Sequence, residues 1–132
     1  MACRASTVII QSPKDTMSNI SSSQEFTREL KARAIANGAA LVGVVTIESI
    51  PTCTPPLSVT KVMPEAQSVV VFAIPMLRGS IESPSLFSAM ISTHATYKEE
   101  EILELRLGRL LEERGYLAAM IVPASPIEMS RE

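Results

Sequence analysis

The residues best suited to chemistry in this sequence are a histidine and a tyrosine three positions apart, His94 and Tyr97. On a helix, this spacing places two side chains on the same face, one turn apart. Both residues follow the β-prone segment 68–74, and ligands of open α/β sheets bind beyond the carboxyl ends of the strands. The two rings are therefore the first candidates for a binding site. The structural alternative is that Tyr97 packs on the sheet and His94 faces solvent.

Other arrangements of catalytic or metal-binding residues find little support. A Ser–His–Asp set would need His94 beside Asp15, the only aspartate, which lies far away in the N-terminal segment. The two cysteines, Cys3 and Cys53, form no Cys-x-x-Cys pair, and with one histidine they are too few for a zinc or iron–sulfur site. The glycines form neither a dinucleotide-binding fingerprint nor a phosphate-binding loop. We therefore predict no metal site and no iron–sulfur cluster.

Composition and charge are those of a small single domain. The 132 residues, 46% of them apolar, suffice for one hydrophobic core. A formal net charge of −2 provides no basic face for nucleic acid or anionic lipid. We interpret the consecutive glutamates at 99–101 as a solvated helix face. The longest apolar run, residues 69–77, is too short to span a bilayer. We predict a cytoplasmic protein that binds neither nucleic acid nor membrane.

The elements that must position these residues are predicted from hydrophobic period and helix-end signals. Residues 1–22 lack a sustained period, so we predict a flexible leader in which 8–10 could form an edge strand. Ser22 and Glu25 form a capping box, and Gly38 and Gly115 are helix stops. The predicted elements are a helix from Ser22 to Gly38, strands at 40–45 and 68–74, a helix over 84–114 with a break near 92–94, and a strand at 117–122.

These elements predict an α/β fold in the order α-β-β-α-β. The strands are apolar on both faces, which is typical of strands covered on each side. The last strand–helix–strand unit predicts a right-handed crossover between two parallel strands. About three strands with two long helices indicate a three-layer or an open-faced sheet that a partner or further chain completes. We predict a flexible leader at 1–22, one α/β domain over 23–126 and a tail at 127–132.

Three segments carry a family resemblance: LKARAIANGAALVGVV at 30–45, MPEAQSVVVFAIP at 63–75, and the helix that follows Tyr97 and ends in LLEERGY at 110–116. Together they resemble the N-terminal region of the epoxyqueuosine reductase and reductive dehalogenase superfamily over residues 26–126. The shared patterns, A-x-x-x-G-A-x-x-V-G and P-x-A-x-S-V-V-V, are packing motifs.

The resemblance implies half of a nitroreductase-like domain that binds cobalamin, without the following domain whose iron–sulfur clusters supply electrons. It also implies cofactor contacts from Tyr97 and from the turn at 123–126. With His94, a candidate from its position after the strand, the predicted cofactor-binding residues are Tyr97, Pro123, Ala124 and Ser125. In the reductases this turn carries a proton-donating aspartate, and this sequence has no acidic residue there. The resemblance therefore points to cobalamin binding without the catalytic acid, and we assign no catalytic residue.

Three functions are consistent with these observations. The first is a truncated, non-catalytic relative of the cobalamin-binding domain, which binds a corrinoid or assists a full-length iron–sulfur partner protein. The second is a small α/β dimerisation or interaction module without a cofactor, which forms a homodimer through its open sheet edge. The third is a cobalamin-dependent reductase that receives electrons from separate iron–sulfur proteins.

Overall fold

The computed structural model of the protein describes residues 3–11, 20–50 and 59–121. In chain order its elements are strand β1 (Cys3–Gln11), helix α1 (Ile20–Ala36), strand β2 (Leu41–Thr46), a 3-10 turn (Ile47–Ser49), helix α2 (Val59–Val62), strand β3 (Ser68–Pro75), helix α3 (Arg78–Ile81), helix α4 (Leu86–Glu113) and strand β4 (Leu117–Ile121). The three predicted strands are confirmed as β2, β3 and β4, with bounds that shift by about one residue.

The four strands form one antiparallel sheet in the order β2-β3-β1-β4. Strand β1 pairs Cys3 with Pro75 on one side and Thr7 with Ile121 on the other. Strands β3 and β4 therefore run in the same direction, as predicted, but β1 lies between them. This is the split β-α-β topology of ferredoxin-like sheets. The mixed α/β class and the open sheet are confirmed, with four strands instead of about three.

The N-terminal segment corrects the prediction of a flexible leader over 1–22. Residues 3–11 form a central strand of the sheet, and α1 begins at Ile20, so Ser22 lies inside the helix that it was predicted to cap. Val8 belongs to the core cluster under the helices, and Ile9 is buried on the opposite face. A short apolar run suffices for a central strand because pairing on both sides supplies its hydrogen bonds.

Both long helices pack on one face of the sheet, where they share a single core. The opposite face is not fully open to solvent, because Ile9 and Val69 are buried there. Burial of each large apolar side chain contributes about 1.5–3 kcal/mol, so this cluster dominates the stability of the domain. Its buried members are Val8, Ile10, Leu30, Ala34, Ala39, Val70, Phe72, Ile74, Leu103, Leu107 and Leu111.

Glycines close both long helices, as the sequence predicts. At the end of α4, the Tyr116 N–H donates to the Leu111 carbonyl at 3.1 Å, and Gly115 has a φ of 86°. Gly38 ends α1 in the same way, with a φ of 107°. This conformation strains any residue with a Cβ, and the hydrogen bond satisfies a carbonyl of the last turn.

Helix α4 is continuous, which corrects the predicted break near 92–94. Its 28 residues span about 42 Å, whereas the eight residues of β3 span about 26 Å. The first turns of α4 therefore extend past the end of the sheet. Within the described residues, no helix combines the length and the apolar composition that a membrane span requires.

Candidate functional site

The predicted pair of aromatic rings lies on the first half of α4. The ring centroids of His94 and Tyr97 are 6.4 Å apart, and the ring planes meet at 69° in an edge-to-face contact. The spacing of the two residues therefore predicted their contact. His94 is exposed and Tyr97 is half-buried. His94 also faces solvent, as the structural alternative expected. The pair lies well inside the helix, since α4 begins at Leu86.

The remaining predicted site residues, Pro123, Ala124 and Ser125, lie outside the described residues. Their expected proximity to His94 and Tyr97 therefore stays a prediction. In the part of the chain that the structure describes, no cluster of three or more His, Cys, Asp or Glu side chains could hold a metal ion.

The stretch of chain around His94 is largely apolar, and the next charged residue along α4 is the exposed Lys98, one turn later. No Asp, Glu, Lys or Arg occurs over residues 83–97. Four large apolar side chains in the first two turns of α4 are exposed, led by Leu86 at 76% and Phe87 at 70%. The loop and short helix before α4 add two more. We call these six residues the apolar patch: Leu77, Ile81, Leu86, Phe87, Met90 and Ile91.

Two glutamates of α4 are buried against the sheet, which corrects the interpretation of 99–101 as a fully solvated face. Glu99 and Glu101 are exposed, but Glu100 is 1% exposed and Glu104 is fully buried. The i, i+4 spacing places both buried carboxylates on the face that also carries Leu107 and its neighbours. The helical period of the leucines could therefore have predicted this burial from the sequence. The run of consecutive charged residues indicated a solvated face instead.

Glu104 joins α4 to the centre of the sheet. Its Oε1 accepts a hydrogen bond from the backbone N–H of Thr7 at 3.2 Å. Thr7 is also the β1 residue opposite Ile121, where the pairing of β1 with β4 ends. Burying a carboxylate is costly unless it is hydrogen-bonded, so this contact fixes how far α4 can slide along β1. We assign Glu104 a structural, positioning role.

An aromatic and charged cluster holds the other end of α4 against α1. The rings of Phe26 and Tyr116 stack with centroids 5.4 Å apart. The Arg114 guanidinium lies 5.0 Å from the centroid of Phe26 and 2.7 Å from a carboxylate oxygen of Glu29. Stacking and cation–π contacts each contribute about 0.5–1.5 kcal/mol. The C-terminal half of α4 is therefore anchored on two sides.

Comparisons of the chain with protein-family models, curated proteins and solved structures find no match. The resemblance to the epoxyqueuosine reductase superfamily accordingly rests on the sequence motifs alone.

Proposed function

We propose that this protein is a small α/β interaction module that forms a homodimer through the apolar patch and uses no cofactor. The observation that carries this proposal is the concentration of exposed large apolar side chains in and just before the first two turns of α4. The only charges within this segment are those of the exposed Arg78–Glu82 ion pair of α3. Monomeric proteins rarely expose contiguous apolar patches larger than a few hundred Å². The centres of protein interfaces are depleted in charged residues, and the stretch 83–97 has this composition.

The energetics favour association at this surface. Apolar surface removed from water contributes about 25 cal/mol per Å², and Phe87 alone is 70% exposed. A second copy of the chain brings the same patch, because a two-fold interface uses one surface twice. The patch therefore needs no partner of different chemistry.

The test is the mass of the purified protein by light scattering over a dilution series, compared with one variant and one control. Ile91→Ser changes a residue of the patch, and Ile35→Ser makes the same change on α1 at a similar exposure, 49% against 55%. We expect wild type and Ile35→Ser to be dimeric at high concentration and Ile91→Ser to be monomeric there. A monomeric wild type at every concentration would refute the proposal.

The sheet edges offer a competing surface for the same dimer. Both edge strands, β2 and β4, contain no charged residue, and charges are the usual protection of an exposed edge. Leu41→Lys places a charge on the exposed face of β2, and Ile91→Lys places one on the apolar patch. If only Leu41→Lys abolishes the dimer, the interface is the sheet edge that the sequence predicted.

Corrinoid binding is a second proposal, and one observation favours it. His94, the only histidine in the chain, is exposed beside Tyr97, and an accessible imidazole is a common metal ligand. The nitroreductase-like resemblance supports the same function. Corrinoid binding would also be needed by a protein that assists a full-length iron–sulfur partner. A reductase supplied with electrons by separate proteins would need this binding step as well.

The corrinoid proposal is tested by mixing the protein with hydroxocobalamin, removing free corrinoid on a sizing column and recording the visible spectrum. We expect corrinoid absorbance to co-elute with wild type. The cobalt-sensitive bands should shift relative to free hydroxocobalamin, and His94→Ala should lose this shift. A protein peak without corrinoid absorbance would exclude both the corrinoid-binding function and the reductase.

A further inference from the structure

A row of residues that begins with Phe87 and Ile91 of the apolar patch continues along the outer face of α4 as far as Leu105. Its members recur at intervals of four or three residues, so they share one helix face. All of them are exposed, and four are large apolar side chains. We call this row the outer stripe: Phe87, Ile91, Ala95, Lys98, Ile102 and Leu105.

We infer that two copies of the chain pack their α4 helices antiparallel along the outer stripe, with the two-fold axis passing next to residue 96. This inference rests on the proposed homodimer and specifies its geometry. It extends the interface from the apolar patch to the charged half of the helix.

The register of the stripe carries the argument. A two-fold axis perpendicular to two antiparallel helices places residues opposite each other when they are equally far from the axis. With the axis next to residue 96, Phe87 lies opposite Leu105, and Ile91 lies opposite Ile102. All four large apolar members thus face an apolar residue of the second copy.

The parallel arrangement is disfavoured on two grounds. It would place each Lys98 directly opposite Lys98 of the second copy, whereas the antiparallel register places Lys98 opposite Ala95. It would also align the two helix dipoles, which repel when parallel and attract when antiparallel. The aliphatic stem of Lys98 can lie over the small Ala95 side chain while its ammonium group reaches solvent.

The available area fits a dimer of modest affinity. The four large apolar members of the stripe are between 44% and 70% exposed, which is a small surface beside the total of about 1,200–2,000 Å² buried in stable specific interfaces. We therefore expect a dimer that dissociates on dilution, and we expect its affinity to respond to single changes in the stripe.

Lys98 is the one charged member of the stripe, so it provides a gain-of-function variant. Lys98→Leu completes the apolar row and should tighten dimerisation about tenfold. Glu99→Leu adds the same side chain one residue further, off the stripe, and should leave the dissociation constant unchanged. Equal effects of the two variants in sedimentation equilibrium would contradict the geometry.

Disulfide cross-linking tests the register directly, in a background where Cys3 and Cys53 are replaced by serine. Two separate proteins, one with Ile91→Cys and one with Ile102→Cys, are mixed and oxidised. We expect a covalent dimer in the mixture and none from either protein alone, because only the 91–102 pair is opposed. Ile35→Cys mixed with Ile102→Cys is the matched control and should not cross-link.

The outcomes separate this inference from the proposed function. A dimer by mass without the 91–102 cross-link leaves the interaction module standing and overturns the antiparallel α4 pair. Cross-links of equal yield from the single proteins also overturn it. A wild-type protein that is monomeric at every concentration overturns both proposals.

Discussion

The two halves of α4 differ in the side chains that they bury. In the second half, residues 98–113, leucines such as Leu107 are buried on the sheet, and nine of sixteen residues are charged. In the first half, residues 86–97, the buried side chains are the polar Ser92 and Thr96, while Phe87 and its neighbours are exposed. On its buried side, therefore, the second half of α4 carries leucines together with Glu100 and Glu104, whereas the first half carries only short polar side chains.

This difference separates the stabilisation of the domain from its proposed association. The second half of α4 contacts the shared core and is held by Glu104 and Arg114. The first half extends past the sheet and contributes no large apolar side chain to the core. Apolar residues there do not stabilise the isolated domain, so their exposure is best explained by a partner.

The largest effect should come from one substitution made in both halves. Leu107→Ala removes a buried core side chain and should lower the free energy of unfolding by about 2–5 kcal/mol. Leu86→Ala makes the same change at a 76% exposed position and should cost less than about 0.5 kcal/mol. Urea unfolding at one low protein concentration measures both. Similar losses of unfolding free energy in the two variants would show that the first half of α4 stabilises the domain as much as the second half does.

The buried carboxylate gives the next largest effect. Glu104→Ala leaves the Thr7 N–H without its acceptor and should cost about 1–3 kcal/mol. Glu104→Gln keeps an oxygen at the same place and should cost less than the alanine variant. Thermal unfolding compares them with Glu101→Ala, an exposed control. If Glu104→Ala and Glu101→Ala have the same melting temperature, Glu104 does not fix the position of α4.

Two glycine-to-alanine substitutions near the C-terminal end of α4 should change the free energy of unfolding in opposite directions. Gly115→Ala forces a Cβ into a left-handed conformation and should destabilise by about 1–2 kcal/mol. Gly108→Ala adds a Cβ at 3.8 Å from that of Ala118, an ordinary contact, and should stabilise by about 0.5–1 kcal/mol through helix propensity. Differential scanning calorimetry measures both shifts in melting temperature. A lower melting temperature for Gly108→Ala would show that the space between α4 and β4 does not accept the added methyl group.

The smallest effect belongs to an exposed polar contact of the same half. Arg106 donates a hydrogen bond to the Asn37 side chain at 2.7 Å, and both residues are exposed. Surface contacts of this kind contribute little, so Arg106→Ala should change the free energy of unfolding by at most about 0.5 kcal/mol. A loss above 1 kcal/mol in urea would mean that this contact, and not the core leucines alone, anchors the second half.

Local signals in the sequence predicted the parts of the fold that local interactions determine. The glycine stops at Gly38 and Gly115 are confirmed because a positive φ is a property of one residue and its helix end. The strands β2, β3 and β4 are confirmed because apolar runs bounded by glycine or proline are local as well. The contact between His94 and Tyr97 followed from their spacing in the same way.

The features that the sequence did not predict depend on partners far along the chain. Residues 3–11 became a central strand only through pairing with β3 and β4. Glu100 was interpreted from its charged neighbours, although its position relative to Leu103 and Leu107 placed it on the buried face. Helical spacing alone could not show that Phe87 is exposed, because the end of the sheet determines which turns are covered.

The place of β1 in the sheet has a consequence for how the chain folds. Strand β1 needs partners that lie about 70 and 110 residues later in the chain, as its pairings of Cys3 with Pro75 and Thr7 with Ile121 show. Such non-local closure slows folding. Strand β1 stays unpaired until both partner strands have been synthesised, so truncation of the chain before β4 should lower the soluble yield.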